Sequence, residues 1–208
     1  GGRKRVLFIP YARPSGMTWD DYTTKARDRF QKMGFDLTGI HENSDGEHNA
    51  IREAEAIFIG GGNTFVLLKQ LYDAGIANLI SAVVKDGVPY IGTSAGANVA
   101  GRTIMTTNDM PVAYPPSLNG MGAVPFNINP HYLDHDQNSK HMGESRETRI
   151  KEYHVFNDDT VVGLREGAML RVIGDRVALQ GSTGARIFRK GKEPLEYLPD
   201  SRLDFLLR

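Results

Sequence analysis

Short apolar runs alternate with stretches of helical periodicity along the first hundred residues. Val6-Leu7-Phe8-Ile9, Phe35 to Ile40, Ala56-Ile57-Phe58-Ile59 and Val88-Pro89-Tyr90-Ile91 have the pattern of short strands covered on both faces. After the first of them, Trp19, Tyr22, Ala26, Phe30 and Met33 fall on one helical face. Thr18 can cap that helix, Asp20 and Asp21 suit its first turn, and Gly34 can close it. Thr64 to Tyr72 predicts a second helix with Phe65, Leu68 and Leu71 or Tyr72 inward, and Ile76 to Lys85 a third, broken by Gly87. Strand and helix in alternation predict an α/β fold with a mostly parallel, doubly wound sheet and flanking helices. From Val161 the texture changes. Val161 to Leu164, Met169 to Ile173, Val177 to Gln180 and Ala185 to Phe188 are short β-type runs separated by turn residues such as Gly174-Asp175. They read as C-terminal antiparallel meander strands that finish the same domain. No repeat or linker divides the chain, so one domain over 1–208 is expected.

Composition narrows the classes of function. A chain of 208 residues can bury a sizeable core, and 40% apolar with 24% charged residues is ordinary for a soluble protein. The formal charge is zero, so no overall field favours nucleic acid or an anionic membrane. There is no cysteine, which excludes a disulfide framework, a thiolate metal site and a cysteine nucleophile and fits a reducing cytoplasm. No apolar run approaches the roughly 20 residues of a membrane helix, and no signal peptide stands at the start. Gly1-Gly2-Arg3-Lys4-Arg5 leads abruptly into a strand, so an upstream piece is expected to be missing.

Gly92-Thr93-Ser94-Ala95-Gly96 is the strongest chemical signal. It has the form G-x-S-x-G between an apolar strand and a helix start, the setting of a nucleophile elbow. Glycines are needed because the turn is tight and the serine backbone strained, and the helix start offers N–H groups to an oxyanion. The plainer reading is a glycine-rich turn. Gly60-Gly61-Gly62-Asn63-Thr64 also joins a strand to a helix. It lacks the Lys-Ser or Lys-Thr pair of a phosphate loop. An oxyanion hole formed by the N–H groups of Gly62 and Ala95 fits better, beside the alternative of a tight turn capped by Asn63 or Thr64.

A serine nucleophile needs a base. His41 and His48 lie in a polar stretch that reads as a solvated loop, His154 on a predicted helix, and His135 and His141 in a polar loop. Asp134 and Asp136 lie near the last two, but the spacing is no recognised metal-ligand pattern, so no metal is expected. His131 differs because it follows the probable strand Val124 to Pro130, and active groups collect at the carboxyl ends of parallel strands. Two acids could orient it, Glu166 after Gly163-Leu164-Arg165 and Asp109 in Thr106-Thr107-Asn108-Asp109-Met110-Pro111. Spacing does not choose between them.

Gly60 to Phe65, Gly92 to Asn98, Thr106 to Pro111, Asn129-Pro130-His131 and Gly143-Glu144-Ser145-Arg146-Glu147 occur in an order that resembles the peptidase E family, the α-aspartyl dipeptidases of serine peptidase family S51. The resemblance covers nearly the whole chain. It implies a class I glutamine amidotransferase-like, flavodoxin-like fold in which serine replaces the usual cysteine. It also implies hydrolysis of dipeptides with N-terminal aspartate, no metal and no other cofactor. By position, Ser94 matches the family nucleophile, His131 its base and Glu166 its third triad member, with Asp109 kept as the alternative acid. Gly62 matches an oxyanion-hole donor, and Arg146 an arginine that meets the aspartyl side chain. Asp109 or Glu144 would hold the substrate ammonium, and Asn63 would line the substrate site. The family's N-terminal strand and helix have no counterpart before Val6. Thr93 stands where some members have tryptophan, and Ser145 where some have threonine.

The expected partner is thus a small dipeptide rather than nucleic acid or membrane, and a homodimer is left open. Two competing readings are a cyanophycinase-like hydrolase of aspartyl polymers and a non-catalytic protein that binds acidic peptides.

Overall fold

The computed structural model describes residues 4–134 and 143–208. Arg5–Ile9 (β1), Asp36–Gly39 (β2), Ile57–Ile59 (β3) and Tyr90–Gly92 (β4) form a parallel sheet in the order β2-β1-β3-β4. Phe8 lies opposite Phe58, and Leu7 opposite Ile57. Side chains alternate across a sheet, so the two phenylalanines share one face and Leu7, Ile9, Ile57 and Ile59 the other.

The phenylalanine face takes helix α1 (Trp19–Gln31), whose Tyr22, Ala26 and Phe30 pack with Val6, Phe8, Leu37 and Phe58. The aliphatic face takes α2 (Glu47–Arg52), α3 (Thr64–Asp73) and α4 (Ala77–Lys85), with Ile51, Leu67, Leu68, Leu71 and Ile80 fully buried against it. Each such side chain contributes about 1.5–3 kcal/mol by leaving water. Helices on both faces give the doubly wound arrangement expected from the alternating pattern.

Helix α1 opens with a capping box. Thr18 Oγ1 accepts from Asp21 N at 3.0 Å, and Asp21 Oδ2 accepts from Thr18 N at 3.4 Å. Its apolar face is shorter than the spacing predicts, because the helix stops at Gln31 and Met33 falls exposed in the following turn. Helix α3 centres its buried face on Leu67, Leu68 and Leu71, with Phe65 and Tyr72 at the edge of the cluster. The stretch from His41 to Glu47, expected as a solvated loop, is partly ordered. Ile40–Glu42 forms a 3-10 turn and Glu47–Arg52 the short helix α2, which places His48 on a helix. The pair Ala50 and Ile51 anchors α2, too short an apolar signal to show a period. His41 is mostly buried beside Trp19 and lies 3.0 Å from Asp20 Oδ1 through its Nε2.

The second sheet has the order β10-β9-β6-β5, built from Asn127–Pro130 (β5), Val161–Leu164 (β6), Ala185–Phe188 (β9) and Leu195–Tyr197 (β10). β5 and β6 are parallel, while β6–β9 and β9–β10 are antiparallel. Ala168–Ile173 (β7) and Arg176–Gly181 (β8) pair with each other as a hairpin, and β8 also bridges to Arg202 through Ala178. The expected meander is therefore interrupted: the chain leaves after β6, makes the hairpin, and returns to lay β9 on β6. Glycines mark its base, Gly167 at φ 80° and Gly181 at φ 114°. Helix α5 (Ala95–Ala100) packs against β3, β4 and β5 and so links the two sheets. Among the described residues no helix is long and apolar enough to cross a membrane.

Candidate active site

Ser94 joins β4 to α5 with φ 54° and ψ −112°, a conformation that non-glycine residues rarely adopt. Its surroundings hold it there. Thr93 N donates to Ile59 O at 3.1 Å, Gly96 N to Thr93 O at 2.9 Å, and Ala97 N to Ser94 O at 2.9 Å. Every residue of α5 is buried. The flanking glycines let the helix approach the strands. A Cβ on Gly92 would stand 2.6 Å from Gly96 O, and one on Gly96 would run into the Ile59 carbonyl.

Gly60-Gly61-Gly62 follows β3 and lies against the serine: a Cβ on Gly61 would be 3.0 Å from Ser94 Cβ. Gly62 has φ 149°, and a side chain there would strike the Ala12 carbonyl. Asn63 N donates to that carbonyl at 2.7 Å. Among the described residues neither Gly62 N–H nor Ala95 N–H has a protein acceptor. Asn63, expected to line the substrate site, has both ends of its amide engaged. Its Oδ1 accepts from Val66 N at 3.1 Å as the cap of α3, and its Nδ2 donates to Met110 O at 2.9 Å.

His131 follows β5 and Glu166 follows β6. The parallel register sets Pro130 opposite Leu164, so the two residues leave neighbouring strands at the same level. His131 Nδ1 is hydrogen-bonded to Glu166 Oε1. His131 also has a positive φ of 55°, braced by Asn108 Nδ2 donating to Pro130 O at 2.9 Å and Tyr132 N donating to Leu164 O at 3.1 Å. Both side chains are open to solvent, His131 at 52% exposure and Glu166 at 75%. Among the described residues no hydrogen bond joins Ser94 Oγ to the His131 ring, and none joins Asp109 to that ring.

Asp109 sits instead at the start of α3. Its Oδ2 accepts from Thr64 N at 2.7 Å, Thr64 Oγ1 at 2.5 Å and Thr107 Oγ1 at 3.3 Å. Behind it, Asn98 Nδ2 donates to Thr64 Oγ1 at 3.2 Å. Arg146 is the first residue of α6 (Arg146–Phe156), which Ser145 caps by accepting from Thr148 N at 3.1 Å. Burial, with Arg149 adding to it, pulls the Arg146 pKa below the ordinary guanidinium value, while the Asp109 carboxylate acts the other way. Glu144 lies 3.7 Å from Arg149 Nε.

Around the histidine, Arg165 binds both oxygens of Asp134 at 2.7 and 2.8 Å and reaches Glu196 at 3.0 Å. The Arg165 hydrogen bonds hold the Asp134 carboxyl below the usual carboxylate range. This pair ties the segment after His131 to the residue before Glu166. His154 is buried on α6, 3.0 Å from Asp159 O through its Nε2. His135, Asp136 and His141 lie outside the described residues.

Sequence reasoning missed the second layer of this site. Thr64 and Thr107 clamp Asp109, and Asn129 Nδ2 donates to Thr106 O at 2.7 Å and Asn108 Oδ1 at 2.9 Å. The density of Thr and Asn in Thr106 to Asn108 was the available signal, since such residues bond to nearby backbone.

Comparison with known proteins places this arrangement. The model of Peptidase family S51 matches residues 1–180. The chain is 48% identical over 206 residues to the Drosophila melanogaster protein named "Probable alpha-aspartyl dipeptidase", covering 99% of this chain and 84% of that protein. It is 47% identical over 203 residues to Peptidase E of Streptomyces coelicolor, covering 98% and 82%. In fold it is similar to the crystal structure of a peptidase from an acI-B1 Actinobacterium, with a TM-score of 0.71 at 19% identity over 97% of this chain and 84% of the other. With a family model spanning most of its length and relatives close to half identical along nearly all of it, the chain belongs to peptidase family S51.

Proposed function

We propose that the protein is a serine dipeptidase that hydrolyses Asp-Xaa dipeptides through an acyl-enzyme on Ser94. The observation that carries this reading is the strained Ser94 elbow beside a glycine loop, with the Gly62 and Ala95 N–H groups unengaged among the described residues. Such donors stabilise an oxyanion, and each is worth about 3 kcal/mol of transition-state energy. The names of the relatives supply the aspartyl dipeptide as substrate class.

In this mechanism His131 takes the Ser94 proton as the hydroxyl attacks the peptide carbonyl. It returns that proton to the departing amine. Glu166 fixes the ring by accepting from Nδ1, which leaves Nε2 for the serine. The Ser94–His131 bond forms as substrate docks, since catalytic hydrogen bonds in unliganded enzymes are often long. Water then attacks the acyl-enzyme and releases aspartate. Arg146 binds the aspartyl side-chain carboxylate as a fork. Asp109 is better placed for the substrate ammonium than for orienting His131, because its Oδ2 is committed at the start of α3 and its other oxygen has no hydrogen bond among the described residues. Glu144 faces Arg149 and serves the ammonium only at longer range. Asn63 contributes by fixing the glycine loop.

The order β2-β1-β3-β4 supports a flavodoxin-like, class I glutamine amidotransferase-like arrangement, in which ligands bind at the carboxyl ends of the strands. Helix α5, shared by both sheets, supports a single domain over the described residues.

The test is hydrolysis of Asp-Leu beside Glu-Leu, Ala-Leu and acetyl-Asp-Leu. Turnover of Asp-Leu alone is expected. Equal cleavage of Ala-Leu would remove the role of Arg146, and cleavage of acetyl-Asp-Leu would remove the need for a free ammonium.

A further inference from the structure

The glycine loop beside Ser94 has chemistry of opposite kind on its two sides. On the side of α3 stands Asp109, the group assigned above to the substrate ammonium, bound to Thr64 at the start of that helix. That is the aliphatic face of the sheet, since α3 packs on Ile57 and Ile59. On the other face stands Tyr22 of α1, packed with Phe8 and Phe58. Its hydroxyl donates to Gly61 O at 3.2 Å, so its ring abuts the same loop from the far side. The Arg13 guanidinium lies over that ring, 5.0 Å from its centroid. Arg13 follows Ala12, whose carbonyl receives Asn63 N, so its backbone is fixed to the loop as well.

Arg13 is exposed, and among the described residues no carboxylate pairs with it. A guanidinium held over an aromatic face by cation–π attraction is positioned without using its N–H groups, which can fork onto a carboxylate. A dipeptide presents such a carboxylate on its leaving residue, at the opposite end from the aspartyl head. We infer that Arg13 binds the free α-carboxylate of the leaving residue and so restricts the enzyme to dipeptides, an inference that rests on the serine dipeptidase reading. Arg13 is a specificity residue here: it holds the part of the substrate that a longer peptide or an amide does not offer. Tyr22 acts through it as a positioning residue.

The experiment compares kcat/KM for Asp-Leu and for Asp-Leu-amide in the wild type, Arg13→Gln and Arg13→Lys. A charge-assisted fork predicts that the wild type prefers the free acid by about 10- to 100-fold. Arg13→Gln should bring the two substrates to within about 3-fold of each other, through a loss on Asp-Leu. Arg13→Lys should keep part of the preference, because a point charge replaces the fork. If Arg13→Gln cleaves both substrates with the wild-type ratio, the carboxylate-reading role is overturned and the dipeptidase reading stands. If folded wild type cleaves neither substrate, both are overturned.

Discussion

Ser94 and His131 are both non-glycine residues with positive φ, 54° and 55°, yet the protein holds them by different means. The Ser94 elbow is fixed from behind by an entirely buried helix and by two glycines whose replacement would collide with backbone. His131 stands at a strand end, half exposed, and is braced by two hydrogen bonds to its flanking backbone and by surface ion pairs. Core packing can hold strain of about 1–3 kcal/mol because nothing around it can relax. Exposed ion pairs are worth only about 0–1 kcal/mol each. The Ser94 backbone is thus set by the buried core, whereas His131 and Glu166 stand exposed at the strand ends. Among the described residues His131 is hydrogen-bonded to Glu166 and no hydrogen bond joins it to Ser94.

Three substitutions probe this contrast. The largest effect is expected from Ser94→Ala, which should lower Asp-Leu turnover by at least about 10⁴-fold while far-UV circular dichroism and the thermal midpoint stay at or above wild-type values. The midpoint is free to rise because alanine removes no core contact. Wild-type turnover in a folded Ser94→Ala protein would end the acyl-enzyme mechanism.

An intermediate effect is expected from Glu166→Gln. A buried orienting acid contributes about 10⁴-fold, and an acid that is three-quarters exposed should contribute less, roughly 10²-fold in kcat. The loss should appear in kcat more than in KM and be the same for every Asp-Xaa substrate. A variant with unchanged kcat would move the orienting role to another group.

The smallest effect is expected from Asp134→Asn, which breaks the Arg165 pair. Asp134 is about half exposed, so the loss in unfolding free energy at pH 7 should stay below about 1 kcal/mol. The sign with pH follows from its lowered folded-state pKa. The contribution is fully present above the unfolded value of about 3.9 and is lost as pH falls through the lower folded value. Urea denaturation of wild type and Asp134→Asn should therefore differ at pH 7 and converge at strongly acid pH. A gap that widens on acidification would contradict the pairing.

Much of the Ser94 elbow was legible in the sequence, because its determinants are local. The form G-x-S-x-G between a strand and a helix, the glycine run after the preceding strand and, at α1, the capping residue Thr18 are each read from a few consecutive positions. The alternating apolar runs likewise predicted β1 to β4 and their helices within a few residues. Less was legible where the signal was short. Helix α2 rests on one buried pair, β10 spans three residues, and the outward placement of Met33 depends on where α1 stops.

Other features depended on how distant segments pair. Glu166 and Asp109 were equal candidates by spacing, and the parallel register of β5 with β6 brings Glu166 to His131 across 35 residues of chain. The same folding sends Asp109 to the start of α3, 45 residues away in sequence. The β7–β8 hairpin stands apart from β9 because β6 already pairs with β9. Arg13 meets Tyr22, and Tyr22 in turn bonds to the glycine loop that lies against Ser94, a chain of contacts between segments distant in sequence. The sequence by itself determined the strained serine elbow, the order of strands and helices in the first half and the residue types available for chemistry, since backbone sterics and hydrophobic period are local properties. Only the tertiary structure decided which acid meets the histidine and which loop lies against the serine, because those contacts are set by sheet register and by which face of a strand a side chain takes.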